Sequence, residues 1–275
     1  MKPFKSYKII VPYTESAAPT KKFVIEYDVD AANRVEAQKI AEDRFNLYSG
    51  NTSASWVRIP DQSGIRIWRR FPTDPETPEF IDDLIASLPG KSNSETLSLL
   101  NRLGDLEDIF ASSKIISLTK LDEPAIVASA IDTLGKIADP TSYFAVKNTY
   151  FQKSHPDIKR AVVKALPNMA LPEDDVIGFY KIAIKDKATR EVVFNLDFID
   201  LLPLWLQEIE NESEFNAVKE NVLCNAEKSL MILVTLDVSD DKIFTYASRL
   251  VDALEPIASE NNLDDWPVAV KKYRA

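Results

Sequence analysis

The sequence contains few of the residues that most often build metal, disulfide and nucleophilic sites. It has one cysteine and one histidine in 275 residues. Zinc sites held by cysteine and histidine, disulfide frameworks and catalytic pairs chosen among several histidines all need more of these residues. We therefore expect no metal site and no cofactor, and the composition favours binding over chemistry.

Glycine and long hydrophobic runs are also scarce. Six glycines leave no G-x-G-x-x-G pattern and no Walker loop, so the common phosphate cradles are absent. The unbroken apolar runs, such as Leu230–Val234, are far shorter than a membrane-spanning helix. Lys2, Lys5 and Lys8 interrupt the first apolar stretch, which is not typical of a secretory signal, and we expect a cytoplasmic protein.

Charge is abundant but unevenly shared between two parts of the chain. The net charge of −10 repels phosphate backbones unless a local patch reverses it. Residues 1–72 hold 12 basic and 8 acidic side chains, whereas residues 73–275 hold 21 basic and 35 acidic ones. This difference leaves three interpretations open: the two parts dock on each other, the acidic part attracts a basic partner, or the charge serves solubility alone.

The first 72 residues alternate between apolar and polar positions around one helical stretch. Asn33 is a plausible N-cap with Glu36 three residues later, and Gly50 ends the helical pattern. Two strands precede this helix and two short strands follow it, the latter joined by a predicted hairpin turn at 60–64. The apolar faces of the first two strands are Tyr7, Ile9, Val11 and Phe23, Ile25, Tyr27, Val29. We predict a small ββαββ domain over residues 1–72.

A segment rich in proline and acid follows this predicted domain. Residues 72–79, PTDPETPE, contain three prolines and three acids. Such composition is typical of a linker, so we place a boundary at 73–79. Every later pattern is helical, and residues 80–275 are predicted to form an all-α domain. The fold class is therefore α+β.

The helical part repeats itself. Residues 123–140, EPAIVASAIDTLGKIADP, align without a gap with residues 155–172, HPDIKRAVVKALPNMALP, at an offset of 32. Moving back by 31 places Leu103 and Gly104 under Leu134 and Gly135, and moving forward by 31 from 172 reaches Pro203. Four units of 31 to 32 residues are therefore visible, the middle two sharp and the outer two blurred.

One unit of this repeat is predicted to be a pair of helices. A first helix begins with proline in its first turn, where the missing N–H costs nothing, and a second begins at Pro140, Pro172 or Pro203. Neither helix of a pair can bury its apolar stripe alone. Stacked neighbours share one core, as in an α-solenoid.

The sharpest unit resembles the short bacterial HEAT repeat of the PBS-lyase HEAT-like group. The matching residues are Asp122, Pro124, Ala130, Leu134, Gly135, Asp139 and Pro140. The next unit departs at Pro167, where glycine is usual, and at Leu171, where aspartate is usual. The resemblance covers residues 92–210 and implies an α-solenoid that binds other proteins. A few members of such families are enzymes, which resemble bilin lyases or alkylpurine glycosylases.

The second predicted hairpin of the N-terminal domain holds the candidate binding residues. If Val57, Ile59, Ile65 and Ile67 face the helix, the opposite face presents an aromatic and guanidinium ladder. That ladder comprises Trp56, Arg58, Arg66, Trp68 and Arg70. It is expected to pack on the acidic helical part, to bind an acidic protein or to stack unpaired bases, and the net charge of −10 disfavours the last.

Other conspicuous residues have structural interpretations. We expect His155 to cap a helix and Cys224 to be a small buried apolar residue. The adjacent acids, such as Asp174-Asp175 and Asp240-Asp241, point about 100° apart on a helix and suit its first turn rather than a catalytic dyad. The last segment, with Trp266 and a basic tail, is predicted to cap the solenoid.

These observations predict a non-catalytic scaffold or adaptor that offers the solenoid surface to a protein partner, with the N-terminal sheet as a second contact surface. The alternatives are an enzyme of the bilin-lyase type and a nucleic-acid-binding protein that uses the Trp/Arg ladder.

Overall fold

A computed structural model describes residues 4–50, 56–75, 77–171 and 175–274. Its architecture is α+β, as predicted: a four-stranded antiparallel sheet near the N-terminus is followed by helices. The chain divides into two compact units, residues 1–171 and 172–275. The first unit contains the sheet together with the first helices, and the second is all-α.

The sheet is built on a long hairpin. Strand β1 (Lys5–Glu15) pairs with β2 (Ala18–Ala31), and a two-residue turn at Ser16 and Ala17 joins them. Helix α1 (Arg34–Gly50) then crosses one face of the sheet. Its start is capped by two hydrogen bonds: the Asn33 side chain accepts from the Glu36 N–H, and the Glu36 carboxylate accepts from the Ala32 N–H.

The core of the sheet lies under α1. The buried residues of the strands alternate, and the helix supplies residues at helical spacing, as the sequence pattern predicts. They are Tyr7, Ile9, Val11, Tyr13, Val29, Ala31 and Ile67 from the strands with Ala37, Ala41 and Phe45 from α1.

The last two strands do not form the predicted hairpin. Strands β3 (Arg58–Pro60) and β4 (Arg66–Arg69) both pair with β1, beside its end and its beginning respectively. They are therefore two pieces of one interrupted strand along the same edge of β1. The interruption faces Pro12, which has no N–H to offer a neighbour; its carbonyl accepts from the Asp61 N–H instead (2.8 Å).

Six further α-helices are found in the described residues of the first unit. They are α2 (Glu79–Ser87), α3 (Asn93–Leu106), α4 (Ser112–Leu118), α5 (Pro124–Ile137), α6 (Tyr143–Gln152) and α7 (Pro156–Met169). The first helices of successive repeats stack, α3 on α5 and α5 on α7. The second helices α4 and α6 contact α5 and α7 respectively.

Two of the repeats end their first helix in the same way. Glu107 and Ala138, 31 residues apart, both adopt the left-handed conformation, with φ of 58° and 55°. The next residues, Asp108 and Asp139, accept hydrogen bonds from the N–H groups of Phe110 and Thr141. Each aspartate thereby starts the 3-10 turn that leads into the second helix.

Close packing between first helices depends on Gly135. A Cβ atom on Gly135 of α5 would lie 2.8 Å from the Cβ of Ala165 in α7 and 3.0 Å from its Cα. The equivalent glycine of α3, Gly104, would instead meet the flexible Cδ of Lys136 (2.9 Å). The Leu-Gly pair of the repeat is thus a packing feature of the α5–α7 contact.

The third repeat departs where its sequence does. Pro167 stands at the position of Gly104 and Gly135, and Leu171 replaces the capping aspartate. Helix α7 accordingly ends at Ala170 in an extended conformation rather than a left-handed one. Pro172, predicted to open the next helix, lies outside the described residues.

Residues 175–274, the described part of the second unit, contain seven α-helices. They are α8 (Val176–Ala183), α9 (Arg190–Phe194), α10 (Leu202–Glu208), α11 (Glu212–Cys224), α12 (Ala226–Thr235), α13 (Asp241–Asn261) and α14 (Trp266–Tyr273). Pro203 lies in the first turn of α10. Helix α14 ties down the end of α12: the Lys272 ammonium donates to the Val234 carbonyl (2.8 Å) and the Tyr273 hydroxyl to the Leu233 carbonyl (2.7 Å).

The proline- and acid-rich segment runs along the first unit. Asp74 forms an ion pair with Arg102 of α3, and the Arg102 guanidinium lies 4.6 Å from the centre of the Phe71 ring. The first unit therefore extends across residues 73–79, and the separate folding of residues 1–72 stays a prediction. Among the helices of the described residues, none combines the length and apolarity needed to cross a bilayer.

The predicted helix caps are confirmed, whereas the predicted burial of Cys224 is not. His155 caps α7, its Nδ1 accepting from the Asp157 N–H, and Asp175 and Asp240 cap α8 and α13. The prediction that Cys224 is buried is wrong, because it is exposed. Helix α11 buries Phe215, Val218 and Val222, and a residue two positions beyond Val222 points away from that stripe.

Candidate interaction surfaces

The five predicted binding residues lie on two faces of the sheet rather than one. Arg58 pairs with Glu15 and contacts α1, whereas Trp68 pairs with Lys8 on the opposite face. The residues inserted between β3 and β4 change the alternation, so Ile67 faces α1 as expected but Val57 and Ile59 are exposed. The predicted continuous ladder is therefore absent from the described residues.

Trp56 and Arg58 form a stack at the end of α1. The Arg58 guanidinium lies 3.8 Å from the centre of the Tyr48 ring and 4.4 Å from that of Trp56. Its Nη1 donates to the Tyr48 carbonyl (2.6 Å). Arg58 thus joins β3 to the last turn of α1. The charge and the planar surface of its guanidinium are engaged in these contacts within the sheet and α1.

Arg66 is engaged with the helices of the first unit. Its Nη2 donates to Asp108 Oδ2 (2.6 Å) and its Nη1 to Asp82 Oδ1 (3.0 Å), while the ring centre of Phe110 lies 4.5 Å away. Burial raises the pKa of the Asp108 carboxyl, and the Arg66 charge opposes that rise. This pair connects β4 to the 3-10 turn after α3.

Trp68 and Arg70 are also engaged in contacts within the first unit. Trp68 is 1% exposed, and its strand contacts α3 and the 3-10 turn at Ile109–Ala111. Arg70 forms an ion pair with Asp28 of β2 (3.1 Å). For Arg66 and Trp68 these contacts favour packing against the acidic helical part, whereas the contacts of Arg58 and Arg70 lie within the first 72 residues.

Sequence reasoning missed a second polar contact between the sheet and the helices. The Glu107 carboxylate accepts from the Tyr7 hydroxyl (2.8 Å) and the Lys5 ammonium (2.6 Å). Arg34, at the start of α1, donates to the carbonyls of Ile137 and Ala138 at the end of α5. Burial lowers the pKa of Arg34 and raises that of Tyr7. The sequence feature that could have indicated this contact is the repeat, which places Glu107 and Ala138 at equivalent helix ends.

An exposed aromatic face lies on the second helix of the sharpest repeat. Helix α6 buries Tyr143, Val146 and Tyr150, yet Phe144 is 65% exposed and Phe151 is 57% exposed. Seven residues separate the two phenylalanines, which places them on one face about 10 Å apart along the helix. Exposed aromatic side chains at such spacing are typical of protein-binding surfaces.

The two exposed rings are held by buried ones. Phe144 packs edge-to-face on Tyr143 and Phe151 on Tyr150, each with ring centres 5.3 Å apart. Since both tyrosines are buried, the orientation of the phenylalanines is restricted before any partner arrives. A restricted side chain loses less conformational freedom on binding.

The charged residues within the second helices α4 and α6 are all basic. Helix α4 contains Lys114 and α6 contains Lys147, and neither contains an acid. Lys120 and Lys153 follow these helices directly. In a chain of net charge −10, helices α4 and α6 themselves therefore carry positive charge, while Lys153 forms an ion pair with Asp122 (3.2 Å). Helix α8 of the second unit shows the same composition, with Lys181, no acid and Ile182 exposed.

Comparisons with known proteins assign neither a family nor a function to the chain. No protein-family model matches the chain, and a search of curated proteins finds no match. Among the described residues, no group of three or more histidine, cysteine, aspartate or glutamate side chains is placed to hold a metal ion.

Proposed function

We propose that the protein is a non-catalytic, HEAT-like interaction scaffold whose partner binds the second helices α4 and α6. The observation that carries this proposal is the exposure of Phe144 and Phe151 on a helix whose other face is fully packed. A helix that only completed a core would place polar residues at these positions.

The chemistry of this surface defines the kind of partner. Two aromatic anchors two turns apart fit the apolar stripe of an amphipathic helix, which repeats at the same spacing. Lysines on α4 and α6, with no acid in either helix, complement acidic residues beside that stripe. The partner segment is accordingly an acidic amphipathic helix.

The N-terminal sheet supports the scaffold rather than forming the main binding face. The contacts of Arg66 with Asp108 and of Glu107 with Tyr7 fix the sheet against the start of the helical stack. Arg58, Arg66 and Trp68 are largely covered by these contacts, which argues against stacked bases on the predicted ladder.

Site-specific photocrosslinking in the cells of origin tests the proposal. A photoreactive phenylalanine analogue replaces Phe144 or Phe151 in the full chain, and we expect a discrete protein adduct from both positions. The control is Leu47 of α1, which is 72% exposed and outside this surface. An adduct equally strong from position 47, an adduct with nucleic acid, or no adduct from 144 and 151 would contradict the proposal.

A further inference from the structure

Strand β2 forms an open edge of the sheet. The order of strands is β2-β1-β3, with β4 also on the β3 side of β1, so among the described strands β2 has one neighbour only. It is 14 residues long, and most of its residues from Thr20 to Asp28 are exposed or half-exposed. An open strand edge offers backbone donors and acceptors to another strand.

The ladder shows which residues of β2 offer them. The carbonyls of Ser6 and Pro12 in β1 accept from the N–H groups of Arg70 and Asp61, so the even-numbered residues of β1 point towards β3 and β4. In an antiparallel ladder the odd-numbered residues then point towards β2. By the register of the pair, the backbone groups of Lys22, Val24 and Glu26 point outwards.

The neighbouring residue Asp28 confirms this direction and limits the open stretch. Its carbonyl accepts from Arg44 Nη1 of α1 (2.9 Å), which is possible only for a group that points away from β1. Arg44 therefore covers the edge at Asp28. The stretch from Lys22 to Glu26 remains open, and Val24 lies at its centre.

The side chains on this stretch are self-complementary in charge, with Glu26 also forming an ion pair with Lys8 of its own chain (2.8 Å). In an antiparallel pair of two β2 strands related by a two-fold axis at Val24, Lys22 lies opposite Glu26 of the second copy, and the reverse pair follows by symmetry. Val24, 57% exposed, then faces Val24 of the second copy. An axis at Glu26 would instead place two carboxylates opposite each other.

The side chains on the other face of β2 also fit this register. Phe23 and Ile25 pack against the core under α1 but are only partly buried. With the axis at Val24, Phe23 lies opposite Ile25 of the second copy, so apolar side chains of both copies cover each other.

We propose that β2 pairs with β2 of a second copy of this chain, about Val24, to give one sheet that continues through two molecules. The inference is independent of the proposed partner surface on α4 and α6. A dimer of this kind would present two such surfaces, which raises the effective affinity for a partner with two binding segments.

Charge reversal tests this register. Sedimentation equilibrium of the full chain at about 100 µM should show a dimer, since contacts with micromolar Kd are populated there. Lys22→Glu should raise the dimer Kd about tenfold or more, because two like-charged pairs replace two opposite ones. Lys22→Glu/Glu26→Lys should restore the dimer. The control is Lys39→Glu, the same change on an exposed residue of α1, which should leave the dimer unchanged.

Hydrogen exchange gives a second readout, which reports on the backbone of the strand edge directly. The amides of Val24 and Glu26 should become protected as the concentration of wild-type protein rises, and they should exchange freely in Lys22→Glu. A monomeric wild type, a dimer indifferent to Lys22→Glu, a double variant that stays monomeric, or amides whose protection is independent of concentration would each overturn the proposal.

Discussion

At the scale of single residues, Gly135 controls the distance between α5 and α7. Any side chain there meets the Cα of Ala165, a backbone atom of a packed helix, and the helices must separate to admit it. A Cβ at Gly104, the equivalent position of the preceding repeat, would crowd the flexible side chain of Lys136 and lie at ordinary contact distance from Thr133. The glycine of the motif therefore differs between the two repeats in how well it tolerates substitution by a larger residue.

Gly135→Ala should destabilise the protein by about 1–3 kcal/mol, because overpacking outweighs the gain in helix propensity of about 1 kcal/mol. Gly104→Ala is the matched control and should be neutral or slightly stabilising, since the Lys136 side chain can move. Urea denaturation followed by circular dichroism measures both. Equal effects of the two substitutions would show that the contact with Ala165 does not limit the packing.

Arg66 compensates a buried charge. Asp108 is fully buried and accepts two hydrogen bonds from Arg66, so Arg66→Met leaves an unpaired carboxylate. We expect a loss of about 3–5 kcal/mol of stability at neutral pH, and Arg66→Met/Asp108→Asn should recover part of it.

The pH dependence of the Arg66→Met variant follows from the sign of the Asp108 shift. Burial already raises the pKa of Asp108, and removal of Arg66 raises it further. Folded protein then binds a proton at a pH where unfolded protein does not, so the stability of the variant rises as pH falls from that raised pKa towards about 4. Denaturation midpoints at neutral and mildly acidic pH measure this, and a penalty independent of pH would contradict it.

At the scale of secondary-structure elements, α14 is held to α12 by a buried tyrosine. Burial raises the pKa of Tyr273 to about 12. Between the ordinary tyrosine pKa of about 10 and this value, unfolded protein loses the proton first, so stability falls as pH rises. The loss reaches about 2 kcal/mol near pH 12.

Tyr273→Phe separates the two roles of this residue. The variant keeps the packing and loses the hydrogen bond to the Leu233 carbonyl, which costs about 1 kcal/mol at neutral pH. Its stability should then decline less steeply than that of wild type above about pH 10. Chemical denaturation across that range compares them, and parallel declines would show that Tyr273 ionises normally.

The strands and helices differ in how far the sequence predicts them. The first hairpin, α1 and the first helices of the sharp repeats, α5 and α7, form as predicted, because their apolar periods match the faces that they bury. The arrangement of β3 and β4 was predicted wrongly as a hairpin. The deciding residue, Pro12, lies on another strand, and its missing N–H acts only through the pairing that the fold creates.

The candidate site was harder to predict than the fold. The Trp/Arg ladder assumed unbroken alternation between Val57 and Ile67, and the extra residues at the interruption moved Arg58 to the other face. The sequence pattern does not distinguish Phe144 and Phe151 from core residues, since aromatic residues at helical spacing usually pack in a core. Only the burial of Tyr143 and Tyr150 on the other side shows that the helix has two apolar faces.

At the scale of the whole molecule, the sign of the charge distinguishes the proposed binding face from its surroundings. The chain carries −10 overall, whereas α4 and α6 carry only lysine. Binding of an acidic partner should therefore weaken as salt is added, whereas a purely apolar contact would not.

The most direct test of the scaffold account is a titration of the full chain with the partner segment identified by cross-linking from position 144. We expect Phe144→Ala/Phe151→Ala to weaken the affinity at least tenfold, about 1.4 kcal/mol, with Leu47→Ala unchanged as the control. Circular dichroism checks that each variant is folded. An affinity that is the same in wild type and in the double phenylalanine variant would contradict the account.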